Sequence, residues 1–276
     1  MLEMPHTEPP DPLPNVVSLG ARAAAALADS GGRLRLIPGF TETPHRYAGE
    51  DIVWVGMRGE AHPRAVFVDA PAQEMRLAWD RRHPVPAGPH PRHQVDRIAA
   101  AQRFTELARR CRELGEPRSF GRLLIGALPP FPLDHRVDAA HALAAAAGAD
   151  DAKAFSQAGL RLLGVGGGLT PSGDDFVGAA LFTLHHMGYD NPAWQDAAQT
   201  LIEATRTRTH AISAALFADL AVGESFEPLH QLVAATDFAD TLEPARRLTA
   251  IGHSSGWDML CGMIAAATGK LQHTLN

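Results

Sequence analysis

Two stretches of the chain place hydroxyls, carboxylates and glycines just before an apolar helical pattern. The first is GVGGGLTPSGDD at residues 164–175, and the second is GHSSGWD at residues 252–258. Both contain Ser-Gly-x-Asp, followed by apolar residues and then by a glycine. Such loops offer backbone N–H groups, hydroxyls and a carboxylate at a helix start. This chemistry suits an anionic small molecule, with or without a divalent metal.

The first loop predicts a cradle for an anion. Glycines can adopt positive φ and let a ligand approach the main chain. The candidate binding residues of this loop are Gly166, Gly167, Gly168, Thr170, Ser172 and Gly173. The loop lacks the lysine of the NTPase phosphate loop and the third glycine of the dinucleotide motif. The alternative is a tight turn followed by a capped helix.

Two adjacent carboxylates, Asp174 and Asp175, follow the hydroxyls. They would repel a bare phosphate, so a Mg²⁺ ion held by the pair is the one cofactor that the pattern suggests. The alternative is that both carboxylates only stabilise the positive end of the helix dipole.

The second loop adds Ser254, Ser255 and Gly256 as candidate binding residues. His253 stands where a general acid or an oxyanion donor is expected, and with Asp175 and Asp258 it forms the candidate catalytic set. Because the second loop repeats the Ser-Gly-x-Asp pattern of the first, we expect the two loops to face one cleft. Alone, the second loop is also compatible with an ordinary capped helix.

A third segment, at residues 205–213, carries hydroxyls four residues apart. If the segment is helical, Thr209 and Ser213 share one face with Thr205. Arg206 and Arg208 are the cations expected to meet an anion there. The alternative is a solvated helix start.

The residue patterns predict an α+β fold with a β-rich N-terminal unit followed by a mainly α-helical domain. We expect a flexible leader at residues 1–14, the β-rich unit at 15–92 and the helical domain at 93–276. Short apolar runs bounded by Gly, Pro and Asp predict strands at 33–38, 52–57 and 65–68 after a helix at 17–28. Helices are predicted at 95–111, 133–147, 152–163, 173–187, 193–205, 211–222, 228–235, 237–250 and 255–268, with Asp134 and Ser172 as N-caps of the second and fourth.

Composition excludes several classes of function. The net charge of −6 and the pI of about 6.1 argue against a nucleic-acid partner. The chain has two cysteines and no apolar run of the length of a membrane span, so neither a disulfide framework nor a membrane partner is expected. The acidic, proline-rich start is unlike a signal or transit peptide, and a cytoplasmic protein is the expectation.

The chain resembles the bacterial AllH-like family, formerly a domain of unknown function. The resemblance covers mainly residues 160–270 and is carried by three pieces of sequence, at 168–175, 209–213 with the trailing 221–223, and 252–258. It implies a subunit of oxamate carbamoyltransferase, a transferase of purine catabolism that moves a carbamoyl group between carbamoyl phosphate and oxamate, giving or consuming oxalurate. It also implies larger partner subunits, and it supplies no assigned catalytic residue.

Two other functions stay open at this point. The loops could belong to a non-catalytic regulatory or structural subunit, or to another Mg-phosphate-binding enzyme. Convergence of the two loops on one place would favour a small-molecule site, whereas loops on separate faces would favour purely structural roles.

Overall fold

The computed structural model describes residues 13–71, 76–79 and 95–272 of the 276-residue chain. The chain divides into two compact units, Met1–Pro89 and His90–Asn276. The boundary expected near residue 92 lies outside the described residues, as does the expected leader up to residue 12.

The described part of the first unit is a five-stranded mixed sheet with one helix. The elements in chain order are β1 (Val16–Leu19), α1 (Ala21–Ser30), β2 (Arg35–Leu36), β3 (His45–Ala48), β4 (Asp51–Gly56) and β5 (Ala65–Val68). The strand order is β1-β5-β4-β3-β2, with β4 and β5 parallel and the other pairs antiparallel. Helix α1 buries Ala23, Ala26 and Leu27 in the core of this unit.

The start of the first unit differs from its sequence prediction. The predicted helix at 17–28 is wrong at its beginning, because residues 16–19 form β1, which pairs with β5. Val16 and Leu19 are buried while Val17 is exposed, and the helix begins only after Gly20. Strand β3 has no counterpart in the prediction, whereas β5 has the predicted bounds.

The described part of the second unit is helical. Its α-helices are α2 (Arg97–Arg109), α3 (Val137–Gly148), α4 (Ala152–Leu162), α5 (Ser172–His186), α6 (Pro192–Arg208), α7 (Ala211–Ala221), α8 (Glu227–Ala234), α9 (Ala239–Thr249) and α10 (Ser255–Thr268). Short 3₁₀ helices lie at Cys111–Leu114, Ser119–Ile125 and Leu133–Arg136. The predicted cap Asp134 is wrong, because α3 begins three residues later and Asp134 accepts a hydrogen bond from the N–H of His135.

Helices α5 and α10 form the centre of the second unit. His185 is the one residue of α5 that is not buried, and α10 is buried from Gly256 to Ala267. A Cβ at Gly262 of α10 would lie 2.1 Å from the carbonyl oxygen of Phe176 of α5. Only glycine therefore permits this close approach of the two helix backbones, which fixes where the two helix starts lie relative to each other.

These elements give the α+β class that the sequence predicted, a small mixed sheet followed by a helical region. None of the helices in the described ranges combines the length and the apolar character that a membrane crossing needs.

Candidate functional site

The start of α5 is built against the end of α4. Val165 donates its N–H to the carbonyl of Leu162 at 3.1 Å, and Gly173 donates its N–H to the carbonyl of Val165 at 2.9 Å. A Cβ at Gly173 would lie 1.9 Å from the oxygen of Leu162. The glycine of the first Ser-Gly-x-Asp motif is therefore required by packing.

The start of α10 repeats this arrangement against the end of α9. Ile251 donates its N–H to the carbonyl of Leu248 at 2.9 Å, and Gly256 donates its N–H to Ile251 at 3.1 Å. A Cβ at Gly256 would lie 1.8 Å from the oxygen of Leu248. The two Ser-Gly-x-Asp motifs thus share one local structure, although the first loop is three residues longer between its matched positions.

The two loops meet through their hydroxyls. The hydroxyl oxygens of Thr170 and Ser255 are 2.9 Å apart, and Thr170 donates to Oδ2 of Asp175 at 2.8 Å. Ser255 is also a hydrogen-bonding neighbour of Asp175. In the other direction, Ser172 of the first motif lies beside Asp258 of the second. The first residue of each helix, Ser172 in α5 and Ser255 in α10, therefore lies beside the aspartate of the other helix.

This exchange explains why the predicted cap Ser172 is wrong. Pro171 occupies the N-cap position of α5, and no side chain there makes a capping hydrogen bond. Ser254 occupies the N-cap position of α10, also without a side-chain capping bond. The hydroxyl of Ser172 instead faces the neighbouring helix, where the buried carboxyl of Asp258 is its partner.

A segment that the sequence analysis missed completes the cluster. The 3₁₀ helix Ser119–Ile125 donates the N–H of Phe120 to Oδ1 of Asp258 at 2.8 Å. Ser119 donates its hydroxyl to the hydroxyl of Ser172 at 2.8 Å and holds a left-handed φ of 51°. Nothing in the spacing of Ser119 and Phe120 indicates such a role, since the contacts depend on a sequence separation of more than 50 residues.

The two central carboxyls are buried and electrostatically coupled. Burial raises the pKa of Asp258 to about 7, against the opposing effect of hydrogen bonds from Ser119 and Phe120. Burial first and the charge of Asp258 second hold the pKa of Asp175 well above its usual value. Both shifts follow from the cost of placing a charged carboxylate in a poorly solvated interior.

One oxygen of Asp258 has no hydrogen-bond partner. The side chain is fully buried, and within the described residues no donor reaches Oδ2 with hydrogen-bond geometry. The hydroxyls of Ser119, Ser172 and Ser254 are near enough to lower the pKa of this carboxyl, but the hydroxyl of Ser119 is directed at Ser172. An unsatisfied buried oxygen of this kind is unusual in a folded protein.

The adjacent carboxyl, Asp174, takes part in a different set of contacts. Its Oδ1 accepts the N–H of Gly164 at 2.7 Å, and its Oδ2 accepts the hydroxyl of Ser213 at 2.6 Å. Asp174 thus ties the glycine loop to α7. Within the described part of the chain, no group of three or more His, Cys, Asp and Glu could hold a metal ion. Binding of Mg²⁺ by Asp174 and Asp175 stays a prediction.

The tip of the first loop is open. Gly166 and Gly168 adopt φ of 116° and 93°, and Gly167 and Gly168 are exposed. A Cβ at Gly167 would meet nothing within 4 Å, so the protein leaves free space over this backbone. His210 contacts the carbonyl of Gly168 through Nε2 at 3.3 Å.

The third predicted segment is only partly associated with the site. The segment is not one continuous helix, which was the condition for Thr205, Thr209 and Ser213 to share a face, because α6 ends at Arg208 and Thr209 is extended. The guanidinium of Arg208 donates to the carbonyl of Leu160, and Arg206 is exposed. The hydroxyl of Thr209 is buried without a hydrogen-bond partner in the described structure.

His253 lies exposed at the start of the second loop. Nη1 of Arg118 donates to its carbonyl oxygen at 2.9 Å and lies 3.3 Å from its Nδ1. The structure therefore brings His253, Ser254, Ser255, Asp258, Thr170, Ser172 and Asp175 together, while Arg206 is not among these contacts.

Comparison with known proteins gives one match. Residues 162–267 match the family model described as oxamate carbamoyltransferase subunit AllH. The matched segment begins at the end of α4 and contains both loops and the segment at 205–213. No curated protein and no solved structure matches the chain.

Proposed function

We infer that this chain, which is AllH-like over residues 162–267, is a subunit or a homologue of a carbamoyltransferase acting on carbamoyl phosphate and oxamate or oxalurate. The anionic substrate binds between the two helix-start loops. The contact of Thr170 with Ser255 at 2.9 Å carries this proposal, because it joins the two motifs into one cluster.

The reaction sets the demands on the site. The amide nitrogen of oxamate attacks the carbamoyl carbon, forms a C–N bond and loses a proton to a base. The C–O bond to phosphate breaks, and phosphate leaves with the electron pair. The site must hold the phosphate, align the nitrogen and stabilise the developing oxyanion.

The observed geometry suggests a distribution of these tasks. The exposed tip residues Gly167 and Gly168, together with Gly166, suit the phosphate, because the start of α5 adds a positive dipole end. His253 is exposed at the start of the second loop and suits the oxyanion. The buried Asp175 and Asp258 suit a positioning role, in which they orient the hydroxyls of Thr170 and Ser255 and the segment at Ser119.

Calorimetric titration of the purified chain tests binding. We expect saturable binding of carbamoyl phosphate, oxamate or oxalurate to the wild type, and no binding of a neutral analogue such as urea. Absence of binding by all three anions would contradict the proposal. Release of inorganic phosphate from carbamoyl phosphate in the presence of oxamate then tests catalysis.

A non-catalytic subunit is the second candidate. The full burial of Asp258 favours it, because a substrate cannot touch this carboxyl without a rearrangement of the loops. The family description, which names a subunit, points to partner chains as well. Ligand binding without phosphate release by the isolated chain would support this candidate over a self-sufficient enzyme.

A further inference from the structure

Arg118 lies at the start of the segment that sequence analysis missed. Its Nη1 donates to the carbonyl oxygen of His253 at 2.9 Å, so the guanidinium lies over the second loop. The residue is exposed, and among the described residues no carboxylate lies within ion-pairing distance of it. Its charge is therefore available to a ligand.

The backbone that follows Arg118 is held by two buried partners. Ser119 bonds to Ser172 at 2.8 Å, and Phe120 donates its N–H to Asp258 at 2.8 Å. Ser119 keeps an unfavourable left-handed φ of 51° in doing so. The position of Arg118 beside both helix starts is thus fixed by the same carboxyl cluster that joins the loops.

The contact with His253 also selects a tautomer. A guanidinium has only donors, so Nδ1 of His253, 3.3 Å from Nη1 of Arg118, must act as the acceptor. Nε2 of the ring then carries the hydrogen and is a donor. Arg118 therefore favours the tautomer of His253 in which Nε2 is the hydrogen-bond donor.

The two arginines that the sequence suggested, Arg206 and Arg208, are less suited to bind a ligand at the loops. The guanidinium of Arg208 donates to the carbonyl of Leu160, and Arg206 makes no hydrogen bond to either loop within the described structure. Both lie at the end of α6, whereas Arg118 is bonded directly to the second loop.

An independent observation indicates that a ligand completes this cluster. Oδ2 of Asp258 is fully buried and accepts no hydrogen bond from the described residues, although its Oδ1 receives the N–H of Phe120. Because this oxygen is fully buried, an amide N–H of a ligand supplies the missing donor only after the loops over it rearrange. A small molecule with a carboxylate and an amide N–H then satisfies both this oxygen and the guanidinium of Arg118.

Resting on the proposed function, we propose that Arg118 binds the carboxylate of oxamate or oxalurate and holds His253 as a hydrogen-bond donor beside it. Arg118 is then the cation of the site, in place of Arg206 and Arg208. It lies outside the segment that matches the family model.

The test is titration of oxamate and oxalurate into Arg118→Ala, Arg118→Lys and the control Arg112→Ala. Arg112 is exposed, lies in the neighbouring 3₁₀ helix and carries the same charge. We expect Arg118→Ala to weaken binding by about 10- to 100-fold, as for loss of a charged hydrogen bond. Arg118→Lys should retain part of the affinity, and Arg112→Ala all of it.

Two outcomes distinguish a wrong assignment of Arg118 from a wrong proposed function. Equal affinity of wild type and Arg118→Ala would overturn the assignment of Arg118 and leave the proposed function standing. No binding by the wild type would remove the proposed function and the ligand assigned here together. Long-range ¹H–¹⁵N NMR adds a readout without ligand: Arg118→Ala should lower the Nε2–H fraction of His253 to that of a free histidine side chain, and an unchanged fraction would contradict the positioning role.

Discussion

The side chain of Asp258 lies in surroundings that are unfavourable for a negative charge. It is fully buried, it receives one backbone N–H, and its other oxygen is unsatisfied in the described structure. The interior disfavours its charged form, which raises its pKa to about 7. The folded protein therefore binds a proton here at pH values where the unfolded chain has released it.

Stability should consequently fall as the pH rises. A carboxyl with a raised folded pKa stabilises the protein fully below its unfolded pKa of about 3.9 and loses that contribution through about pH 7. The effect is on the order of 4 kcal/mol at most, and the raised pKa of Asp175 acts in the same direction. We expect Asp258→Asn to lose less stability than wild type between about pH 5 and pH 8 in urea unfolding.

Asp196→Asn provides the control for this experiment. Asp196 is exposed on α6, so its removal should leave the pH dependence of wild type unchanged. Equal slopes for wild type and Asp258→Asn would mean that the carboxyl is as well solvated in the folded protein as in the unfolded chain.

A second prediction at this scale concerns Asp174 and Ser213. Their hydrogen bond of 2.6 Å is buried, so the two side chains should be energetically coupled. A double-mutant cycle with Asp174→Asn and Ser213→Ala should give a coupling energy of about 1–3 kcal/mol in chemical unfolding. Additive effects of the two substitutions would show that the contact contributes nothing to stability.

At the scale of elements, the glycines of the first loop differ in what surrounds them. Gly167 is exposed with free space around it, whereas a Cβ at Gly173 would clash with the backbone of Leu162 at 1.9 Å. Gly167→Val should therefore keep the wild-type fold and weaken anion binding. Gly173→Val should lower the thermal midpoint by about 5–10 °C, because the start of α5 must move.

Circular dichroism and calorimetric titration of both variants distinguish these roles. Wild-type anion affinity in a folded Gly167→Val protein would show that ligands do not approach this backbone. A fully stable Gly173→Val protein would contradict the packing of α5 against α4.

The sequence predicted most of the helices and the similarity between the two loops. The Ser-Gly-x-Asp repeat indicated two similar helix starts, and the structure builds both against the end of the preceding helix. The capping role of Ser172 could not be judged from sequence, because its hydroxyl serves Ser119 and Asp258 from distant parts of the chain. Residues 118–120 carry no local pattern, so only the folded chain identifies them.

At the scale of the whole molecule, the family match and the geometry concern the same region. The matched residues 162–267 include both loops, α5 and α10. The sheet of the first unit lies outside that match. If the family description applies, turnover should depend on partner subunits, whereas binding should be a property of this chain.

The most direct measurement is a titration of the ¹⁵N-labelled protein with oxalurate and with carbamoyl phosphate, followed by amide NMR. The account predicts that amides at 166–168 and at 254–256 shift together and saturate with one common Kd. Shifts confined to one loop, two unrelated affinities or no shifts at saturating ligand would contradict a single anion site between the two helix starts.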